Sequence, residues 1–141
     1  ERLAGFTAGL RAAGLPEPRV FHGGLDRDGG YAAAERLLAD RAGVTCVFAV
    51  NDVMAVGALA ALRAHGVAVP GEISLAGFDD IPALRDIVPA LTTVRLPLQR
   101  MGERALDLAL GAGGAEPCDG RWRTEPAPGE VIIRESTRGV G

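Results

Sequence analysis

Short apolar runs alternate with segments of helical periodicity along the chain, and this alternation constrains the fold more than any other feature. Residues 44–50 and 73–78 are nearly continuous apolar runs, a pattern typical of strands that are buried on both faces of a parallel sheet. Parallel strands must be joined by a crossover, which is usually a helix. We therefore predict an α/β fold with a mostly parallel sheet and helices on both of its faces.

The helices are predicted from the spacing of apolar residues and from the residues that stop them. The first helix has apolar residues such as Leu3 and Phe6 on one face and stops at Gly14, so it is expected to be amphipathic. Pro97 suits the first turn of the last helix, which is expected to end at Gly111. Further predicted elements are helices at residues 27–41, 52–65 and 82–86, extended segments at residues 91–96 and 131–133, and a buried face on the last helix formed by Leu98, Met101, Ala105 and Leu108.

Composition limits the classes of protein to which the chain can belong. With 141 residues, of which 48% are hydrophobic, it fits one domain or a large fragment of a two-lobed protein. The net charge is -3 and the 15 basic residues are all arginines, scattered along the sequence, so no basic face for nucleic acid is expected. The apolar runs are far shorter than the roughly 20 residues of a membrane helix. Any contact with DNA is expected from another segment.

The cysteines and the first residues indicate the setting of the chain. Cys46 lies in an apolar run and Cys118 in a Gly/Pro-rich loop, and their spacing matches neither a disulfide framework nor a redox motif. We therefore expect reduced cysteines and a cytoplasmic protein. The chain begins at Glu1 inside a helical pattern, without a methionine or a signal segment, which predicts a natural N-terminus further upstream.

Two polar pairs follow the two buried strands and form the candidate binding site. Asn51-Asp52 comes after the first apolar run, and Asp79-Asp80 comes after the second. Because ligands of open parallel sheets bind outside the carboxyl ends of the strands, both pairs are expected at the same rim. Amide and carboxylate groups of this kind suit a polyhydroxylated or otherwise polar small molecule. Helix capping is an equally open explanation, and Asp52 and Asp80 are the members expected to act as caps or first-turn acids.

Motifs of other binding and catalytic classes are absent. The sequence contains no dinucleotide-binding glycine motif, no phosphate-binding loop and no nucleophile elbow, so no catalytic residue or cofactor is predicted. His22 and His65 stand alone, without partners at metal-binding spacing, so no metal is predicted. A phospho-receiver domain also holds acidic residues at a strand end, but it needs a lysine, and this chain has none.

Several segments together resemble the lactose-repressor (LacI/GalR) family of transcription regulators. The combination of the PALTTV segment with the terminal REST is more specific to these regulators than the NDVMAVGA segment, which also resembles periplasmic sugar-binding proteins. The segments are RLAGF at residues 2–6, the stretch from FAVNDVMA to AGFDD at residues 48–80, PALTTV at residues 89–94, MG at residues 101–102 and REST at residues 134–137.

The resemblance implies a two-lobed, Rossmann-like core of the type I periplasmic-binding-protein kind, with an effector between the lobes. Residues 1–94 would belong to the C-terminal lobe, residues 95–120 would cross over to supply a strand and helix of the N-terminal lobe, and residues 121–141 would return with a strand and a tail. The implied function is the sensing of an effector, a sugar or a small polar metabolite, by a homodimer that binds operator DNA through a separate head. A sugar-binding protein of a transport system is the alternative.

Residues of the binding site and of the dimer interface are carried over by position. Arg2, Asn51 and Asp79 resemble the effector-binding arginine, asparagine and carboxylate of the family. Leu25 stands where some members have a stacking aromatic, and Leu96 stands where many members have glutamine; both substitutions argue against recognition of a common aldohexose. The dimer interface implied by the resemblance contains Tyr31, Val56 and Ile87.

Overall fold

The computed structural model describes residues 1–40, 43–110 and 125–139, and it shows the predicted alternation of strands and helices. Each predicted helix is present within a few residues of its expected limits, and the end expected for the last helix at Gly111 lies outside the described residues. The elements are α1 (Arg2–Ala12), α2 (Arg27–Asp40), β1 (Cys46–Phe48), α3 (Asp52–Ala64), β2 (Ser74–Ala76), a 3-10 helix (Pro82–Arg85), β3 (Thr93–Arg95), α4 (Leu98–Leu110) and β4 (Glu130–Ile132).

The strands form a mixed arrangement. β1 and β2 pair in parallel, and a parallel bridge between Ala76 and Thr92 brings β3 alongside β2. β4 pairs with β3 in the antiparallel direction, with Thr93 opposite Ile132. Backbone hydrogen bonds between the β1 and β2 segments continue past the regular strands. The amide of Ala49, for example, donates to the carbonyl of Ala76 at 2.8 Å. The sheet is therefore parallel on the β1–β2–β3 side and antiparallel at β4, as the α/β class allows.

The helices α2 and α3 pack closely because each presents a glycine to the other. A Cβ atom on Gly57 would lie within 3.0 Å of the carbonyl oxygen of Arg27, and one on Gly30 would lie within 3.0 Å of the carbonyl oxygen of Met54. Larger residues would push the helices apart, since the neighbouring atoms are backbone and cannot move aside. The contact lies against the main hydrophobic core, whose fully buried members include Ala55, Ala61, Leu75, Leu84 and Leu91.

The prediction that the first strand is buried on both faces is wrong. Cys46 is exposed, and Val47 and Phe48 are only half-buried. Cys46 and Phe48 point to the same face, because side chains alternate along a strand. On that face lies α1, which contacts the strand through the stacked rings of Phe6 and Phe48 and buries none of its own residues. Cys46 forms no disulfide, and Cys118 lies outside the described residues.

The prediction of a buried face on the last helix is also wrong. No residue of α4 is buried, and Leu98 and Met101 are 63% and 38% exposed. Ala105 is exposed and Leu108 is half-buried. Apolar periodicity shows that a helix has a face to bury, but it does not show that the described part of the chain supplies the cover.

The C-terminal tail is fixed to the sheet by side chains of the PALTTV and REST segments. The hydroxyl of Ser136 donates to the carbonyl of Leu75 at 2.6 Å and accepts from the amide of Thr92 at 2.8 Å. The hydroxyls of Thr92 and Thr137 are 2.8 Å apart. Ser136 is fully buried, so these hydrogen bonds compensate for the removal of its hydroxyl from water. In the described part of the chain, no helix has the length and apolar character of a membrane span.

Candidate functional site

The carboxyl ends of β1 and β2 meet at one rim of the sheet, where the sequence places its two polar pairs. The amide of Asp52 donates to the carbonyl of Phe78 at 2.9 Å, which joins the segment after β1 to the segment after β2. Asp79 is connected in turn to the third strand, because its amide donates to the carbonyl of Val94 at 2.9 Å. Three chain segments therefore converge at this rim.

Asn51 is the N-cap of α3. Its side-chain oxygen accepts a hydrogen bond from the amide of Met54 at 2.7 Å, which satisfies one of the free amides at the helix start. Its side-chain nitrogen donates to the carbonyl of Leu25 at 3.1 Å. The first member of this pair therefore caps the helix, and Asn51 also anchors the segment that leads into α2. The side chain of Leu25 at that anchor is 73% exposed.

Asp52 lies in the first turn of α3, as predicted, and is fully buried. One carboxylate oxygen accepts from the hydroxyl of Thr93 at 2.7 Å, and the other accepts from the amide of Ile81 at 2.9 Å. A Cβ atom at Gly77 would collide with this carboxylate, so glycine is required there. Asp52 therefore connects α3, the loop after β2 and β3, and its role is to hold the rim together.

Arg2 and Asp79 form an ion pair at the rim, although 77 positions separate them in the sequence. One guanidinium nitrogen donates to the Asp79 carboxylate at 2.8 Å, and the other donates to it at 3.3 Å and to the carbonyl of Val50 at 2.7 Å. The side chains are 38% and 32% exposed, respectively. A fork and a carboxylate in this geometry present a donor and an acceptor side by side to solvent.

An aromatic cluster lies directly beside the ion pair. The guanidinium carbon of Arg2 lies 4.2 Å from the ring centre of Phe78, within the range of a cation–π contact. Phe48 packs edge-on against Phe78 at 6.5 Å and stacks on Phe6 at 4.8 Å. These residues line an open cavity of about 420 Å³, a size typical of small-molecule sites. The lining residues are Glu1, Arg2, Gly5, Phe6, Phe48, Phe78 and Val94.

The aromatic side of the site is not predicted from the sequence. Phe48 and Phe78 fall in apolar runs, where phenylalanine is usually a member of a buried strand. The signal that could have identified them is their position, since Phe78 directly precedes the Asp79-Asp80 pair at the strand end.

The backbone at Asp79 and Asp80 is strained. Their φ angles are 122° and 54°, and non-glycine residues rarely adopt positive values. Such a conformation persists only where surrounding contacts hold it, and here the amide of Asp79 donates to Val94, while that of Asp80 is 3.4 Å from the hydroxyl of Thr93. Strained residues cluster at functional sites, so this observation favours a role for the rim beyond folding.

Asp80 does not cap a helix, contrary to the prediction; Ile81 holds the N-cap position of the 3-10 helix. The carboxylate of Asp80 is 2% exposed and is paired with Arg134 and, at 2.7 Å, with Arg95. Burial raises the pKa of this carboxyl, but hydrogen bonds and charge from the two arginines outweigh burial, so the pKa lies below its usual value. The reason for the wrong prediction is that both partners are distant in sequence, and one of them is 54 positions away.

The remaining predicted residues lie at the edges of the site or away from it. Leu96 follows β3 and is half-buried, and its carbonyl accepts from the amide of Leu98, the first residue of α4, at 2.9 Å. Tyr31, Val56 and Ile87 are partly buried and pack against the main hydrophobic core. The structure therefore joins Arg2 to Asp79 and Asn51 to Leu25, while the three residues predicted at a dimer interface lie together with the core and keep part of their surface free.

The rim presents groups that can form hydrogen bonds and apolar contacts with a ligand. It offers one donor fork, one acceptor, one amide and aromatic faces. Among the residues that the structure describes, no group of three or more histidine, cysteine, aspartate or glutamate side chains is placed to hold a metal ion. Within the same residues, every buried side-chain nitrogen or oxygen has a hydrogen-bond partner.

Comparison with known proteins gives a consistent result. The profile of the family described as periplasmic binding protein-like domain matches residues 1–137. Over 119 residues, the chain is 40% identical to the HTH-type transcriptional regulator GalR of Salmonella typhimurium (strain SL1344), a match that covers 83% of this chain and 35% of the relative. It is also 40% identical over 111 residues to the HTH-type transcriptional repressor PurR of Erwinia tasmaniensis, covering 77% of this chain and 33% of the relative.

Solved structures agree with the sequence relatives. A transcriptional regulator CelR–cellobiose complex superposes with a TM-score of 0.82 and 33% identity, covering 96% of this chain and 42% of that one. A sugar-binding LacI-family regulator from Escherichia coli complexed with phosphate superposes with a TM-score of 0.80 and 31% identity, covering 96% and 48%.

The relatives also define what kind of protein this is. The chain spans about a third of the length of the curated relatives it matches. Those relatives are transcriptional regulators and not enzymes, which confirms the non-enzymatic prediction from the family resemblance. The predicted α/β class and the predicted resemblance are confirmed as well. The chain belongs to the family of periplasmic binding protein-like domains, in the form carried by LacI-family transcriptional regulators.

Proposed function

We propose that this chain is the effector-sensing part of a DNA-binding transcriptional regulator. A small polar effector binds at the rim and shifts the protein between two lobe arrangements that differ in affinity for operator DNA. The observation that carries this proposal is the Arg2–Asp79 fork beside the ring of Phe78. It supports a ligand with hydroxyl or ring-nitrogen groups and an apolar face, such as a sugar or a nucleobase.

Binding would exchange one set of hydrogen bonds for another. Without an effector, Arg2 and Asp79 satisfy each other, and both remain partly exposed. A ligand hydroxyl can accept from Arg2 and donate to Asp79 at the same time, so it can enter between them and leave both side chains hydrogen-bonded. Asn51 donates one side-chain hydrogen to Leu25, and its amide group has a second hydrogen to offer the effector. Leu25 and Leu96 add apolar contacts, which disfavours a common aldohexose.

The site is completed by a second lobe in this proposal. Residues 1–94 form one wall, residues 95–120 cross into the other lobe, and residues 121–141 return to the first. The exposed apolar face of α4 supports this division, since Leu106 and Leu110 are 58% and 72% exposed and are suited to contact with another lobe. Operator DNA would be bound by a head outside this chain.

The regulator is proposed to act as a cytoplasmic homodimer. Tyr31, Val56 and Ile87 would contribute to the interface, and the nearby Val53 and Val88 are 42% and 70% exposed, which enlarges the apolar surface available for pairing. A transport-associated sugar-binding protein would use a similar cleft. The regulator is favoured because the sequence relatives named above are transcriptional regulators.

Ligand-induced stabilisation of the full-length protein tests this function. D-ribose, cellobiose, D-galactose and adenine serve as the panel, and a ligand at about 100 times its Kd should stabilise the fold by about 2.7 kcal/mol. Asp79→Ala should abolish this stabilisation by the ligand. Glu17→Ala is the matched control, because Glu17 also accepts from an arginine, Arg11, at 2.7 Å but lies away from the rim. If a ligand stabilised Asp79→Ala as much as the wild type, the rim would not be the effector site.

A further inference from the structure

The two antiparallel strands β3 and β4 lie where the chain leaves the sheet for α4 and where it comes back. Arg95 is the last residue of β3, and Arg134 stands two positions after the end of β4. Both arginines bind the same carboxylate, that of Asp80, from which they are 15 and 54 positions away. One buried side chain therefore joins the outgoing strand to the returning strand.

Within the Asp80 cluster, Asp80 and Arg134 are enclosed, while the side chain of Arg95 is 44% exposed. The carboxylate is 2% exposed and the side chain of Arg134 is 13% exposed. Arg134 also donates to the carbonyl of Leu91 at 2.7 Å, which fixes the orientation of its guanidinium. Arg85 approaches the same carboxylate only to 3.8 Å and is 60% exposed. The cluster thus contains two close partners and one distant, solvated arginine.

Asp80 is bonded directly to Asp79, and the backbone between them has little freedom. Three consecutive amides are held by different elements: that of Asp79 by Val94 of β3, that of Asp80 by the Thr93 hydroxyl, and that of Ile81 by Asp52 of α3. Both aspartates have positive φ angles. A shift of β3 or β4 that carries the Asp80 carboxylate with it must therefore also move the Asp79 carboxylate.

We propose that Asp80 is a positioning residue that couples the Asp79 carboxylate at the rim to the paired strands β3 and β4. When the two strands change their placement, Asp79 moves with them, and a ligand that fixes Asp79 fixes the strands in return. This inference rests on the proposed function, because it assigns to Asp80 the link between effector binding and lobe arrangement.

Because Asp80 is held by ion pairs, its coupling of Asp79 to β3 and β4 depends on the negative charge of its side chain. An asparagine in its place keeps the size and one acceptor but leaves the enclosed guanidinium of Arg134 without its counter-charge. The ion pairs that hold β3 and β4 to Asp80 are then weakened, while the amide of Asp79 keeps its hydrogen bond to Val94 and the side chains of Asp79 and Arg2 are unchanged. Arg85→Gln is the matched control, because it removes an arginine from the same carboxylate at a longer distance.

Hydrogen exchange in the ligand-free, full-length protein tests the coupling without any effector. Arg134→Gln should raise exchange at the amides of Asp79, Asp80 and Ile81 about tenfold, as expected when members of one hydrogen-bond network are uncoupled. Arg2→Gln removes the partner of Asp79 at the rim. It should raise exchange at the amides of β3 and β4, because coupling is reciprocal. Arg85→Gln should change neither segment. If the amides at 79–81 stay as protected in Arg134→Gln as in the wild type, the inference is wrong.

Calorimetric titration with D-ribose and cellobiose, well below the melting temperature, adds the functional readout. Asp80→Asn should weaken whichever sugar binds by about tenfold. Leu62→Ala controls for general loss of stability, since Leu62 is 1% exposed and lies in a separate core cluster with Leu37 and Ile73. Equal affinities in Asp80→Asn and Leu62→Ala would overturn the coupling. If neither sugar binds to the wild type, the failure concerns the effector, and the exchange experiment still decides the role of Asp80.

Discussion

The region from α2 to β2 and the region from β3 to β4 are held together by different forces. In the first, α2 and α3 meet at two glycines and cover a core of fully buried apolar residues. In the second, no residue of α4 is buried, and the strands are fixed by hydroxyl groups of the tail and by the Asp80 ion pairs. Apolar packing is insensitive to direction, whereas ion pairs and hydrogen bonds require a defined geometry. The first region is thus suited to be a rigid support. The second region, β3 to β4, is suited to move between defined positions, because its contacts can be exchanged.

The largest difference between the two regions should appear when a leucine is truncated in each. Leu75→Ala removes a fully buried side chain and should lower the free energy of unfolding by about 2 to 5 kcal/mol. Leu106→Ala removes a side chain that is 58% exposed and should change it by about 0.5 kcal/mol or less. Urea unfolding of this chain measures both. Equal losses would show that α4 is packed as firmly as the core.

Glycine substitutions should have opposite signs in the two regions. Gly57→Ala places a methyl group against the backbone of Arg27 and should destabilise the fold by about 1 to 3 kcal/mol. A Cβ atom on Gly102 in α4 would meet no neighbouring atom within 4 Å, so Gly102→Ala should gain helix propensity of up to about 1 kcal/mol. Thermal unfolding gives the sign of each change. Destabilisation by Gly102→Ala would contradict an open surface there.

Acid should weaken the ion-paired region through Asp80. The pKa of this carboxyl is below the usual 3.8 in the folded chain, because the two arginines outweigh the effect of burial. Its contribution to stability is therefore complete above pH 3.8 and is lost as the pH falls through the lowered pKa. The stability difference between the wild type and Asp80→Asn should shrink below that pH. A difference that stays constant down to low pH would mean that the carboxylate charge plays no part.

A small effect is also expected for the exposed ion pair of α4. Arg104 donates to Glu125 through two nitrogens at 2.7 Å, but the side chains are 49% and 43% exposed. Arg104→Gln should change the free energy of unfolding by less than about 1 kcal/mol, and less still at high salt. Urea unfolding at two salt concentrations measures this. A loss as large as that of Leu75→Ala would remove the distinction between the regions.

The sequence predicted the parts of the fold that depend on local pattern. The alternation of apolar runs and helices is local, and so are the start of α3 at Asp52 and the position of Asp79 at a strand end. The rim could be located because strand ends of a parallel sheet converge there. The identification of Arg2 needed the family resemblance, because nothing near it in the sequence indicates its partner 77 positions away.

The parts that were missed depend on contacts between distant segments. The role of Asp80 is decided by Arg95 and Arg134, which approach it only in the folded chain. The buried face expected for α4 failed for a related reason, because an apolar stripe does not reveal what covers it.

Titration of the full-length protein tests the central claim that the Arg2–Asp79 rim is the effector site. D-ribose, cellobiose, D-galactose and adenine are titrated by calorimetry into the wild type, Arg2→Gln and Arg11→Gln. Arg11 is the control, since it is also an arginine of α1 paired with a carboxylate at 2.7 Å, but it lies at the opposite end of the helix. We predict that at least one compound binds to the wild type and to Arg11→Gln, and that Arg2→Gln abolishes this binding. If Arg2→Gln bound the same compound with the affinity of the wild type, the Arg2–Asp79 rim would not be the effector site.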